Sequence, residues 1–108
     1  MSNDIYNQIA NMVIADRAIP SNIKYGIAIF ERGAVSIIDA NSDRVEAWVG
    51  GLDGKVIEGG GSRRRVEFVA TSEGIKSHCT GNTKDHQIFC KHCVGLALKL
   101  GADVSRVL

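Results

Sequence analysis

The sequence has little cysteine, a single proline and no excess of charge of either sign. Its 108 residues include 3 cysteines, 1 proline, 13 basic residues and 12 acidic residues. A formal net charge of +1 excludes a strongly basic coat or an acidic tail, so any affinity for nucleic acid must come from a local patch. The cysteines are odd in number and confined to the last third of the chain. They argue against a disulfide framework, which needs an even set spread along the sequence.

Long apolar segments are also missing. No apolar run approaches the roughly 20 residues that span a bilayer, and residues 1–6 lack the basic and apolar regions of a signal peptide. We therefore expect a soluble, cytoplasmic protein with reduced thiols and no membrane partner. In that setting, cysteine clustered near histidine is more often a metal ligand or a catalytic group than half of a disulfide.

The composition that is present is that of an ordinary globular chain, with 44% apolar and 23% charged residues. Apolar residues at helical spacing predict a helix over residues 3–18. Ser2 or Asn3 is its expected N-cap, and Pro20 is expected to end it because the residue before a proline disfavours the helical conformation. The apolar residues that share one face are Ile5, Ile9, Met12 and Val13.

Residues 23–70 have the composition of β-structure, because runs of β-branched and aromatic residues are interrupted by turn formers. In residues 44–49 the alternation is clean, with apolar residues facing one way and Trp48 facing the other way beside two charged residues. The Asp53-Gly54 pair favours a hairpin. The predicted strands are 23–30, 35–39, 44–49, 65–70 and 75–79, with a further short run at 56–57.

The C-terminal apolar run predicts a buried helix that starts at Lys91 or the residue before it and ends at Leu100. Gly101 stands where a left-handed cap residue belongs. The predicted fold class is therefore α+β, an antiparallel meander of four to five strands flanked by an N-terminal and a C-terminal helix. We expect one domain, in which the helix of residues 1–22 packs on residues 23–108.

Six cysteine and histidine residues, all candidate metal ligands, fall within the sixteen residues 78–93. Zinc in proteins takes four thiolate, imidazole or carboxylate ligands in a tetrahedron. Cys90 and His92 are two residues apart where a loop meets the start of a helix, and Cys79 at a strand end faces them across the loop. These residues predict a zinc site in the loop before the last helix.

The segment 89–98, with Cys-Lys-His-Cys at 90–93 followed by apolar residues, closely resembles the second half of a SWIM-type zinc finger. That family pairs Cys-x-Cys with a downstream Cys-x-His that opens a helix. Stretches that resemble the strands leading into the finger occur at 33–35, 45–50 and 66–69. The resemblance covers residues 30–100 and implies a non-catalytic zinc-binding module that contacts DNA or a protein partner, with no small-molecule substrate.

One position departs from the family pattern. If Cys79 matches the first cysteine of the family, Gly81 stands in the place of the second, and glycine offers no ligand. We prefer His86 as the substitute, since it lies in the loop before the helix. His78 is a weaker alternative because adjacent strand residues point to opposite faces, and Cys93 and water are also open. The predicted metal ligands are thus Cys79, Cys90, His92 and His86.

The same residues allow a second interpretation as a thiol–disulfide protein. Cys90 and Cys93 form a Cys-x-x-Cys motif at a helix start, an arrangement that lowers the pKa of the first thiol and supports disulfide exchange. The predicted meander and the position of the only proline, Pro20, argue against a thioredoxin-like fold. A cysteine–histidine hydrolase is disfavoured because Cys90 and His92 are too close in sequence to form a nucleophile and its base readily, and no third group orients them.

Positive charge is concentrated at Arg63, Arg64 and Arg65, with Lys91 near the predicted finger. Arginine guanidinium groups suit phosphate oxygens, and we expect Arg63 and Arg65 to share one face of their strand. The alternative is a solvated edge that hinders strand pairing between chains. Trp48 is either a stacking platform or partly buried beneath a helix. Together with the finger resemblance, the basic residues predict a nucleic-acid contact.

Overall fold

The computed structural model describes residues 4–50, 63–80 and 89–102. These residues form three α-helices, a short 3-10 turn and one antiparallel sheet of four strands, which confirms the predicted α+β class. No helix among them is long and apolar enough to cross a membrane. The elements in chain order are α1 (Ile5–Ala10), the 3-10 turn (Ile14–Asp16), α2 (Pro20–Glu31), β1 (Val35–Ala40), β2 (Arg44–Val49), β3 (Arg64–Thr71), β4 (Gly74–Cys79) and α3 (Lys91–Lys99).

The strands pair in chain order, β1-β2-β3-β4, each antiparallel to the next. Val45 and Ala47 of β2 lie opposite Phe68 and Val66 of β3, and all four side chains are completely buried. We call this side of the sheet the core face, and the side that carries Trp48 the outer face. The alternation predicted for residues 44–49 is therefore confirmed, and the core lies between one face of the sheet and the helices.

The predicted strand over residues 23–30 is wrong, because residues 20–31 form helix α2. The strands predicted from residue 35 onward are confirmed wherever the structure describes them. The β-branched and aromatic residues of this segment favour a strand, but the residues at its two ends favour a helix, and the helix is what forms. Pro20 occupies the first turn of α2, and Gly33 just beyond the helix has a φ of 69°, the usual punctuation of a helix.

The helix predicted over residues 3–18 is too long. Helix α1 ends at Ala10, and a turn leads into the 3-10 segment. The side-chain amide of Asn11 donates to the carbonyl of Asn7 at 2.9 Å and so competes with continuation of the helix. As a result Ile14 is completely buried in the core, whereas Val13, which had been expected on the buried face, is exposed.

The expected caps of the first helix also differ from those found. Asp4 is the N-cap of α1, and its carboxylate accepts from the backbone N–H groups of Tyr6 and Asn7. Ser2 and Asn3 lie outside the described residues. Pro20 does not end this helix but begins α2, a position where its missing N–H costs nothing.

Helices α2 and α3 approach each other closely because glycine occupies the contact on each side. A Cβ atom built at Gly26 of α2 would lie 2.4 Å from the Cβ of Val94, and one at Gly95 of α3 would lie 3.0 Å from Ile29. Such distances exclude any side chain at Gly26 without displacement of α3. The N-terminus of α2 is thereby held next to the N-terminal half of α3, which becomes important for the site below.

Helix α3 is buried nearly all round, as its sequence predicts, and its exposed side carries Lys99. Gly101 has a φ of 112°, and the N–H groups of Gly101 and Ala102 bond to the carbonyls of Leu98 and Ala97. This pattern is a Schellman motif, so the predicted cap is confirmed. The predicted hairpin at 53–54 and the run at 56–57 lie outside the described residues.

Candidate metal centre

Three side chains from two elements converge at the junction of the sheet with helix α3. Cys79 is the last residue of β4, Cys90 is the N-cap of α3, and His92 lies in the first turn of that helix. Their ligand atoms all lie within 4.8 Å of one another. The Nδ1 atom of His92 is 3.8 Å from the sulfur of Cys79 and 3.9 Å from the sulfur of Cys90. Among the described residues, this is the one cysteine, histidine and carboxylate cluster compact enough for a metal ion.

Alternation along β4 decides which side chain enters the cluster. Cys79 lies opposite Val66 on the core face and is buried, whereas His78 lies opposite Glu67 and is exposed. The reasoning that disfavoured His78 is consistent with this placement. Beyond Cys79 the strand is still anchored, because Thr80 exchanges hydrogen bonds of 3.1 Å with the backbone of Arg65. The end of β4 is therefore held in register when it presents Cys79.

The start of α3 presents the other two ligands. Cys90 has an extended backbone and makes no side-chain cap bond, so its sulfur is not committed to the helix N-terminus. His92 is only 7% exposed and turns its Nδ1 atom toward both sulfurs. For Zn–S bonds of about 2.3 Å and Zn–N bonds of about 2.0–2.1 Å, tetrahedral angles separate sulfur and nitrogen by about 3.6 Å. The observed separations of 3.8 and 3.9 Å are close to that spacing.

The electrostatic setting favours a thiolate at Cys90. Hydrogen bonds from the thiols of Cys79 and Cys93 lower the pKa of Cys90 far below its ordinary value, against the opposing effect of burial. The thiolate is the form of cysteine that binds metal. Its neighbour shows the opposite behaviour, since the hydrogen bond to Cys90 and burial raise the pKa of Cys93 well above the usual range.

Cys93 belongs to the hydrophobic core, with 1% of its surface exposed. Its sulfur is nevertheless 3.7 Å from that of Cys90. Of the four predicted ligands, the structure brings together Cys79, Cys90 and His92. The fourth, His86, lies outside the described residues.

A surface pocket of about 340 Å³ adjoins the three ligands. Its other walls are Ser21, Asn22 and Tyr25 of α2 and Lys91 of α3. The sequence did not point to these α2 residues, because its β-branched content predicted a strand over residues 23–30. Pro20, followed by residues able to continue a helix up to Gly33, was the signal that could have identified them.

The arginine run lies beside the cluster but on different surfaces. Trp48 is half-buried on the outer face, as expected, and the described residue that stacks on it is Arg63, whose guanidinium carbon lies 4.3 Å from the ring centroid. Arg65 bonds to the carboxylate of Glu46 at 2.7 Å on that same face. Arg63 and Arg65 therefore share a face as predicted, whereas Arg64 has the opposite strand parity and is exposed.

An ion-pair network on the outer face was not foreseen. Glu46, only 7% exposed, receives hydrogen bonds from Arg44 at 3.0 Å and from Arg65 at 2.7 Å. Arg44 also contacts Glu67 and Asp39. Opposite charges on neighbouring strands were the available signal. The network engages the guanidinium of Arg65 in an ion pair, which leaves Arg63, Arg64 and the half-buried Lys91 as the predicted cationic contacts outside this network.

None of the family models, curated proteins or solved structures compared with the sequence matches it.

Proposed function

We propose that the chain is a zinc-binding, non-catalytic module of the SWIM-like type that contacts nucleic acid. The convergence of Cys79, Cys90 and His92 within 4.8 Å is the observation that carries the metal site. Thiolate and imidazole ligands together favour zinc over the hard cations magnesium and calcium. In this proposal the ion joins the end of β4 to the start of α3, and His86 supplies the fourth ligand.

Zinc content tests the site. Purified wild-type protein is expected to hold close to one zinc per chain, measured by elemental mass spectrometry, and Cys79→Ser or His92→Ala should lose most of it. His78→Ala is the matched control, because it removes a neighbouring histidine from the outer face and should keep the ion. Wild-type protein that stays nearly metal-free after addition of zinc would contradict the site.

The fourth ligand needs a separate variant. His86→Ala should weaken zinc affinity by about tenfold or more, because loss of a ligand should cost at least as much as loss of a group that only orients one. Competition with a chromophoric chelator measures this affinity directly. An affinity equal to wild type would remove His86 from the ligand set while leaving the other three in place.

The nucleic-acid contact is supported by the placement of cations around the metal centre. In sequence, Lys91 lies between the candidate ligands Cys90 and His92, and its side chain lines the adjoining pocket. On the sheet, Arg65 is bonded through its backbone to Thr80, the residue after Cys79, so the arginine run begins beside the site. Arg63 and Arg64 are exposed and can approach phosphates.

Binding of short DNA duplexes, followed by fluorescence anisotropy, tests this contact. Replacing Arg63, Arg64 and Arg65 together by alanine should weaken binding and flatten its dependence on salt. Lys91→Ala and Lys99→Ala form a matched pair, since each removes one cation from α3, and the first should cost more. If wild-type protein binds neither duplex nor single-stranded DNA, the nucleic-acid contact is contradicted, and binding of a protein partner is then the function expected of this surface.

A second candidate function, thiol–disulfide exchange, is favoured by the 3.7 Å contact between the sulfurs of Cys90 and Cys93. The thiolate of Cys90 would attack a low-molecular-weight disulfide and release one thiolate. The sulfur of Cys93, losing its proton, would then displace the second, so that the two cysteines are oxidised and the disulfide is reduced to two thiols. Oxidised glutathione should in that case remove two hydrogen masses from metal-free protein but not from Cys93→Ala. An unchanged mass would exclude this function.

A further inference from the structure

Helix α2 has a second face that does not pack on α3. Gly26 and Ile29 are buried against α3, but a different stripe of the helix borders a mainly apolar groove of about 550 Å³. The groove is lined by Ala15, Ala18, Pro20, Ile23, Lys24, Ile27, Ala28 and Glu31. Its α2 residues recur every three or four positions, so they form one continuous stripe along the helix. Ile23, Ile27 and Ala28 are half-buried, since the two isoleucines also pack against the core, and their remaining apolar surface faces the groove.

The charged residues of this stripe have opposite signs and stand at its two ends. Lys24 and Glu31 are the charged residues that line the groove, and both are exposed. They are seven positions apart, about 10 Å along the helix, and the apolar Ile27 and Ala28 lie between them. The stripe is therefore apolar at its centre, with one cation and one anion at equal distances from the midpoint.

This arrangement is self-complementary under a two-fold axis. If two α2 helices cross antiparallel about a point between Ile27 and Ala28, Lys24 of each copy faces Glu31 of the other. A parallel arrangement would instead place like charges together, which is unfavourable. Ala28 at the crossing point allows the helix axes to approach to the lower part of the 8–10 Å range.

We propose that this face is the interface of a symmetric homodimer, formed by antiparallel packing of α2 on α2 with two Lys24–Glu31 ion pairs at the rim. An interface of this kind is isologous, so the same stripe serves both copies. Ile19, 60% exposed immediately before the stripe, would also be covered by the second copy. The proposal depends neither on the metal ion nor on nucleic-acid binding.

Charge reversal with rescue tests the dimer. In sedimentation equilibrium of the full chain, with and without added zinc, wild type should be dimeric at about 100 µM. Lys24→Glu or Glu31→Lys should raise the dissociation constant about tenfold or more. The double variant Lys24→Glu/Glu31→Lys should recover dimerisation. A mixture of the two single variants should form a one-to-one heterodimer, because each then meets its complement.

Several outcomes would overturn the proposal. Lys99→Glu, a reversal at an exposed site on α3, is the control and should leave the dissociation constant unchanged. Wild-type protein that stays monomeric up to about 100 µM contradicts the proposal. The same conclusion holds if the groove of the monomer binds a different protein instead. A dimer that is indifferent to both single reversals also contradicts the proposal. Thermal melts of each variant separate loss of dimer from loss of fold.

Discussion

At the scale of single residues, the most informative side chain is a charged group that is buried although its residue type is usually exposed. Glu46 is a carboxylate with 7% of its surface exposed, yet it accepts hydrogen bonds from two arginines. A charge taken out of water needs such partners. The sequence showed Glu46 only as one of the polar residues alternating along β2, because its partners come from a position two residues away and from the next strand.

We expect Glu46→Gln to lower the free energy of unfolding by about 1.5–3 kcal/mol, since it weakens two hydrogen bonds to charged groups. Urea denaturation measures the change. Glu67→Gln is the matched control on the same face, because its carboxylate is 32% exposed and contacts Arg44 at the rim. A more exposed pair of this kind contributes about 0–1 kcal/mol. Equal losses for the two variants would mean that burial of Glu46 adds nothing.

At the scale of elements, the close packing of α2 on α3 organises the site. It places Ser21, Asn22 and Tyr25 of α2 beside the start of α3, where they share a pocket with the candidate ligands. The contact depends on glycine, because a Cβ at Gly26 would overlap Val94. The sequence of either helix alone does not predict this contact. A glycine within a helix is unfavourable by itself and is explained only by the close approach of the neighbouring helix.

Gly26→Ala should therefore destabilise the protein, although the same change in an isolated helix would stabilise it by about 0.8–1 kcal/mol. Overpacking against Val94 is expected to cost about 1–3 kcal/mol, seen as a lower urea midpoint. Ser21→Ala, at an exposed position of the same helix, should leave the midpoint nearly unchanged. A gain in stability for Gly26→Ala would show that the two helices lie further apart.

At the scale of the whole molecule, the candidate metal centre lies where sheet and helices meet. The ion would link β4 to α3, and α3 packs against every strand of the sheet. A chain of 108 residues has a core of limited size, so a link at this junction should contribute measurably to stability.

Removal of the ion tests that contribution. A strong chelator should lower the thermal midpoint by at least about 4–8 °C, the shift expected for roughly 1 kcal/mol in a domain of this size. Added zinc should restore the midpoint. Cys90→Ser should melt at the lower temperature with or without chelator, because it cannot hold the ion. A wild-type midpoint insensitive to chelation would assign the cluster a role other than structural support.

The sequence by itself determined much of this protein. Alternation defined the strands from residue 35 onward and put Cys79 on the core face, and the apolar run with Gly101 defined α3 and its cap. These features succeed because each depends on local periodicity or on a backbone conformation that a single residue type favours. The grouping of Cys79, Cys90 and His92 followed from the same elements.

Only the tertiary structure decided the rest. Residues 23–30 are apolar and β-branched enough for a strand. They are helical because one face of α2 is stabilised by packing on α3, and Pro20 and Gly33 define the ends of the helix. Three further features depend on which elements become neighbours. They are the pairing of Arg65 with Glu46, the stacking of Arg63 on the half-buried Trp48, and the stripe of α2 that borders the groove. Contacts between residues far apart in sequence carry no local periodicity, so only the assembled fold reveals them.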